Sequence, residues 1–149
     1  MTRQNLIFPL LLAACSGSLM AVQGAFNSTL GKIIGYMESL LVVQLTGTAL
    51  AGILILTAGN GSFTKAGAVP WYAWLGGVLG VGIVLGVIAS ISRLGVGLST
   101  AAIIAAQLLT AYLIDHCGWF GMERIPFNLA KLGGIILIVA GAWLLFPNH

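Results

Sequence analysis

The stretch PWYAWLGGVLGVGIVLGVIASISR, from Pro70 to Arg93, decides the fold. It opens on a proline, which a first helical turn tolerates because the N–H that proline lacks would have no acceptor there. Trp71, Tyr72 and Trp74 follow at once; such rings collect where a bilayer meets water. Charge then disappears until Arg93. About twenty apolar residues let a helix cross a hydrocarbon core about 30 Å thick. The stretch therefore reads as one membrane crossing over 70–91. Small residues recur in it every fourth position, at Gly76 and Gly80 and again at Gly82, Gly86 and Ser90. Membrane helices approach one another closely at such faces.

The same reading extends in both directions. Only 6% of the 149 residues are charged, against about 25% in soluble domains. A soluble surface cannot be built from so few. The charges bound five uncharged runs, 4–31, 39–64, 66–92, 94–114 and 132–149. Each run is long enough for one crossing and too short for two. Lipid offers the backbone no hydrogen-bond partners, so only helices or closed barrels span it. Barrel strands alternate polar and apolar positions, whereas Leu6–Ala14 and Ile135–Leu145 are apolar on both parities. The expected architecture is an all-α integral membrane domain of about five helices, over 5–26, 38–58, 70–91, 96–114 and 128–146, with no water-soluble domain. Asn27–Met37, the Gly59-Asn60-Gly61-Ser62 turn and Asp115–Pro126 read as connectors. The run after Arg3 is longer than the apolar core of a signal peptide and reads as a retained helix.

Several functions are disfavoured by composition. A net charge of +3 scattered singly along the chain is not a nucleic-acid surface. Cys15 and Cys117 form no metal or disulfide motif, and Asp115-His116-Cys117 lacks a further ligand cluster. Neither a cofactor nor a metal is expected. No nucleophile–base motif of an enzyme is present. Lysine and arginine divide four against two between alternate sides, with Arg3, Lys65, Arg124 and Lys131 opposed to Lys32 and Arg93. So small a bias places the N-terminus in the cytoplasm only weakly and leaves room for both orientations in one membrane.

Polar residues inside the crossings carry the functional signal, because polar groups in lipid are costly. Ser16, Met20, Gln23 and Asn27 fall on one stripe of a helix turning 100° per residue. Gln44 and Thr48 share a second stripe, and Thr100, Gln107 and Thr110 a third. Taken singly, each side chain is accounted for by a bond to a neighbouring helix. Taken together, the three stripes predict a polar cavity. Glu38 and Asp115 are the acids near the membrane edge able to hold a cation or proton, or simply to stand at helix ends.

The chain resembles the small five-span bacterial branch of the drug/metabolite transporter superfamily. The residues that carry the resemblance are Gln23-Gly24-Ala25-Phe26-Asn27 with Leu30-Gly31, Trp71-Tyr72 leading into Leu75-Gly76-Gly77, Gln107 with Asp115 and Gly118, and Leu132-Gly133-Gly134 with Gly141. The first crossing lacks the central glutamate of the related small multidrug exporters. The resemblance implies half of a ten-helix inverted-repeat transporter in the bacterial inner membrane. Such a half works as an antiparallel, dual-topology homodimer around a small-molecule or metabolite site. Gln23, Asn27, Gln44, Thr48, Gln107 and Thr110 are the expected binding residues, with Asp115 or Glu38 coupling transport to protons. A small dimeric channel and an accessory membrane subunit without cargo are the alternatives.

Overall fold

The computed structural model describes residues 3–126 and 128–144, and every regular element among them is helical. Five α-helices follow in order, α1 (Arg3–Ile34), α2 (Tyr36–Ala58), α3 (Gly76–Leu94), α4 (Val96–Cys117) and α5 (Leu129–Leu144). The stretches Ile7–Ile34, Tyr36–Ala58, Trp71–Leu94 and Val96–Cys117 are long and apolar enough to cross a bilayer. The fifth helix has 16 described residues, a rise of about 24 Å. The last two positions of the expected fifth span, 145 and 146, lie outside the described residues.

Burial is inverted relative to a soluble protein. Among the described residues only Ile88, Ile91 and Ile135 are buried apolar side chains, whereas Asn27, Ser28, Ser39 and Ser99 are buried polar ones. Leu56, Leu129 and Leu144 are each more than 80% exposed. In water such a surface would be an aggregation liability. In lipid it is the solvated face, and the interior is held by packing and hydrogen bonds.

Two helix ends coincide with the expected boundaries, and the largest differences fall at the end of α1 and the start of α3. The end of α2 at Ala58 and the start of α4 at Val96 fall where the punctuation puts them. The expected connector 27–37 is instead helical, and the break shrinks to the single residue Gly35. Polar residues of that segment are satisfied within the helix or by its neighbours. Thr29 Oγ1 donates to the Ala25 carbonyl at 2.9 Å, and Ser28 Oγ meets Ser92 Oγ at 2.9 Å. At the third span, Pro70 precedes a 3-10 turn, Trp71–Leu75, and the α-helix begins only at Gly76. A 3-10 turn is a common way into an α-helix. Here Trp71 and Tyr72 stack edge to face at 6.2 Å.

Two connections share one design, 60 positions apart. Gly35 (φ 103°, ψ 152°) joins α1 to α2, and Gly95 (φ 81°, ψ 169°) joins α3 to α4. This backbone region is essentially restricted to glycine. Each glycine carbonyl accepts the N–H of a serine four residues on, Ser39 at 3.0 Å and Ser99 at 3.3 Å. Both serines are buried. Ser39 Oγ donates to the Asn27 carbonyl at 3.1 Å, whereas Ser99 Oγ has no partner among the described residues.

The chain divides into two compact units, residues 1–93 and 94–149. In the first, α1 packs along α2 and meets α3 through its own glycines. A methyl group added at Gly24 would sit 2.7 Å from Ile91 Cδ1, and one at Gly31 would sit 2.7 Å from Ile88 Cγ2. The glycines of α3 singled out in the sequence, Gly76, Gly80, Gly82 and Gly86, have nothing within 4 Å. The close approach therefore uses the glycines of α1 and the isoleucines of α3. Gly31→Leu is expected to lower stability by about 1–3 kcal/mol, the usual cost of overpacking. Thermal unfolding in detergent reads the effect. Gly47→Leu, at a site with nothing within 4 Å, is the control expected to melt like the wild type.

In the second unit α4 packs on α5. The left-handed Gly118 (φ 66°) terminates α4, its N–H donating to the Ile114 carbonyl, in the usual manner of a helix-ending glycine. The connector then folds back on the helix end. Ile125 N–H donates to the Asp115 carbonyl at 2.8 Å, and Arg124 Nε donates to the His116 carbonyl at 3.0 Å. These bonds satisfy carbonyls that a helix end leaves open.

Candidate substrate groove

One face of α1 forms an open, mostly apolar groove that carries three polar side chains. Ser16, Met20, Gln23 and Asn27, the stripe expected from spacing, line a groove of about 440 Å³ together with Leu19, Val22 and Phe26. Small-molecule sites commonly measure about 300–1,000 Å³ and combine apolar walls with a few convergent polar groups. Gln23 stands twelve positions before the Gly35 turn, a rise of about 18 Å. That is near the middle of a hydrocarbon core about 30 Å thick.

Two hydroxyl bonds fix the backbone at the inner end of this groove. Ser39 on α2 holds the Asn27 carbonyl, and Ser28, the next residue, is tied to Ser92 on α3. Asn27 is only 7% exposed. Neither its side-chain amide nor that of Gln23 has a hydrogen-bond partner among the described residues. Each amide offers two donors and an acceptor to a bound polar group. Gln23 is exposed, whereas Asn27 is buried as a residue. Ser16 differs, since its Oγ donates to the Leu12 carbonyl of its own helix at 2.9 Å.

The remaining expected site residues do not line this groove. Gln44 is half-buried and Thr48 exposed on α2, and Gln107 and Thr110 are exposed on α4 in the second unit. Thr110 Oγ1 donates to the Ala106 carbonyl at 2.9 Å. Glu38 lies exposed in the first turn of α2 with its carboxylate over Gly35, where a negative charge complements the helix dipole. Asp115 is half-buried in the last turn of α4. No group of three histidine, cysteine, aspartate or glutamate side chains comes together among the described residues.

Sequence reasoning missed Ser28, Ser39 and Ser92, which hold the groove's end in place. The signal available was the recurrence of glycine followed by serine four residues on, at Gly35/Ser39 and Gly95/Ser99. A second concavity, of about 650 Å³ between α4 and α5, is walled by apolar side chains such as Leu109, Ile136, Val139 and Trp143. It presents no convergent polar groups and suits lipid chains.

The fold defines a class, a multi-pass helical membrane protein. The chain belongs to the DMT_YdcZ family, described as "Putative inner membrane exporter, YdcZ", whose model matches residues 8–144. It is 26% identical to the inner membrane protein YdcZ of Escherichia coli (strain K12) over 151 aligned positions, which cover 95% of each chain. No solved structure matches it. The family bears out the drug/metabolite transporter resemblance and the multi-pass inner-membrane location read from the sequence. The family's description is that of an exporter, a protein of transport.

Proposed function

We propose that the chain is half of a secondary exporter, pairing with a second, oppositely inserted copy to carry a small solute out of the cell. The observation that carries this reading is the pair of unpartnered amides, Gln23 and Asn27, in a groove at mid-membrane depth. All the lining residues of that groove come from α1, so a second copy would supply the facing wall. Movement of one copy against the other would then open the groove to alternate sides.

Two further features support pairing. The glycine faces of α3 and α5, including Gly80, Gly86, Gly134 and Gly141, have nothing within 4 Å and leave room for close helix approach. The four-to-two division of basic residues weakly biases insertion. Gln44, Thr48, Gln107 and Thr110 would complete the polar lining within the pair, and Glu38 or Asp115 would exchange the coupling proton.

The test is sidedness combined with export. Fusions of a periplasm-active phosphatase and a cytoplasm-fluorescent reporter to the C-terminus are both expected to be active. A signal from one fusion alone would rule out the antiparallel pair. Export is then read as ligand-dependent melting across a metabolite library, followed by efflux of the stabilising compound. Efflux undiminished in well-folded Gln23→Ala and Gln107→Leu proteins would rule out the binding residues.

A further inference from the structure

The groove on α1 has a chemical character that restricts what it can hold. Its polar lining consists of Ser16, Gln23 and Asn27, and none of its lining side chains is ionisable. Ser16 Oγ is already committed to a backbone carbonyl. What remains is two neutral amides facing an apolar wall that includes Phe26 and Leu19. Asn27 is more than nine-tenths buried as a residue, and its amide is unpartnered among the described residues. Its backbone is pinned by the Ser39 hydroxyl, so the α1 backbone that carries this amide is anchored to α2.

We infer that the groove selects uncharged amphipathic solutes, those with an aromatic or aliphatic body and an amide or hydroxyl head. This rests on the reading of the groove as the export site. The physical reason is desolvation. A charged head brought to this depth would lose its hydration and meet no counter-charge among the α1 side chains that line the groove, a cost that hydrogen bonds to neutral amides do not offset. A neutral amide head loses less water, and it both donates to and accepts from Gln23 and Asn27. A site built to hydrogen-bond a substrate discriminates strongly against analogues that leave those bonds unmade.

The experiment uses three probes on one skeleton, 3-phenylpropanamide, 3-phenylpropanoate and 3-phenylpropylammonium. Their binding to the full-length, detergent-purified chain is measured at neutral pH by calorimetry and by melting shift. The amide is expected to bind at least about tenfold more tightly than either charged probe. Asn27→Asp is expected to reverse the order in favour of the ammonium, because it places a carboxylate in the groove. The paired variants Gln23→Leu and Asn27→Leu are expected to abolish binding of the amide while remaining folded. Should a charged probe bind the wild type as tightly as the amide, and lose that binding in the leucine variants, the groove would stand as a site and its neutral selectivity would fall. Binding of no probe at millimolar concentration, or binding indifferent to both leucine variants, would overturn the export site and the selectivity together.

Discussion

Gly35→Val is expected to lower the melting temperature of the detergent-purified protein sharply. The turn at Gly35 has φ 103° and ψ 152°, a region that residues with a side chain enter at a cost of about 1–3 kcal/mol. A β-branched residue stands at the upper end of that range. Its Cβ would also push the Glu38 carboxylate, the free end of an exposed side chain, away from the first turn of α2, where it complements the helix dipole. The only connection between α1 and α2 is this residue, so no neighbouring loop can absorb the change. Ser39, whose N–H is held by the Gly35 carbonyl, would move with it and release Asn27. Gly95→Val supplies a graded comparison. Its φ is 81° and nothing lies within 4 Å of an added Cβ, so strain acts there without collision. The expected order of melting temperatures in detergent is wild type, then Gly95→Val, then Gly35→Val. Size-exclusion profiles and unfolding curves measure it, and a Gly35→Val protein melting with the wild type would contradict the turn geometry.

Asn27→Leu is expected to separate stability from function. Asn27 is 7% exposed and its amide makes no hydrogen bond among the described residues. Its polar atoms are not fully sequestered, Ser99 Oγ being the buried unpartnered one there, so the unmade bonds cost the folded chain less than fully buried ones would. An apolar side chain of similar size removes that penalty. The variant should therefore melt at or above the wild-type temperature. The groove would meanwhile lose the polar group at its most buried end, and export of its solute should fall to background. Ser39 bonds the Asn27 backbone rather than its side chain, so the helix contact survives the substitution. Melting and efflux measured on the same preparation check the pair of outcomes. A drop in stability, or undiminished efflux, would show that the amide serves helix packing instead. Sites that bind polar solutes commonly give up stability in this way.

The residues differ in how plainly the sequence announced their roles. The stripe Ser16, Met20, Gln23 and Asn27 was legible because a helix turns a fixed 100° per residue, and the four line one groove. Gln44, Thr48, Gln107 and Thr110 were found by the same reasoning, yet they lie outside that groove. Spacing orders residues around one helix axis but does not say which face another helix covers. Glycine spacing in α3 likewise did not single out the contact within the chain, since Gly76 and Gly80 stand open while Gly24 and Gly31 make the close contacts.

The sequence by itself determined that this protein lives in a bilayer as about five helices. Hydrocarbon thickness and the rise of a helix set a length, and the scarce charges mark that length out along the chain. Only the tertiary structure decided that 27–34 continues α1, that one glycine turns the chain, and that Ser39 anchors Asn27 beside the groove. Those outcomes depend on which hydroxyl finds which carbonyl across two helices. In an interior without water, polar groups must find partners within the protein, and a partner distant in sequence becomes visible only once the helices are packed.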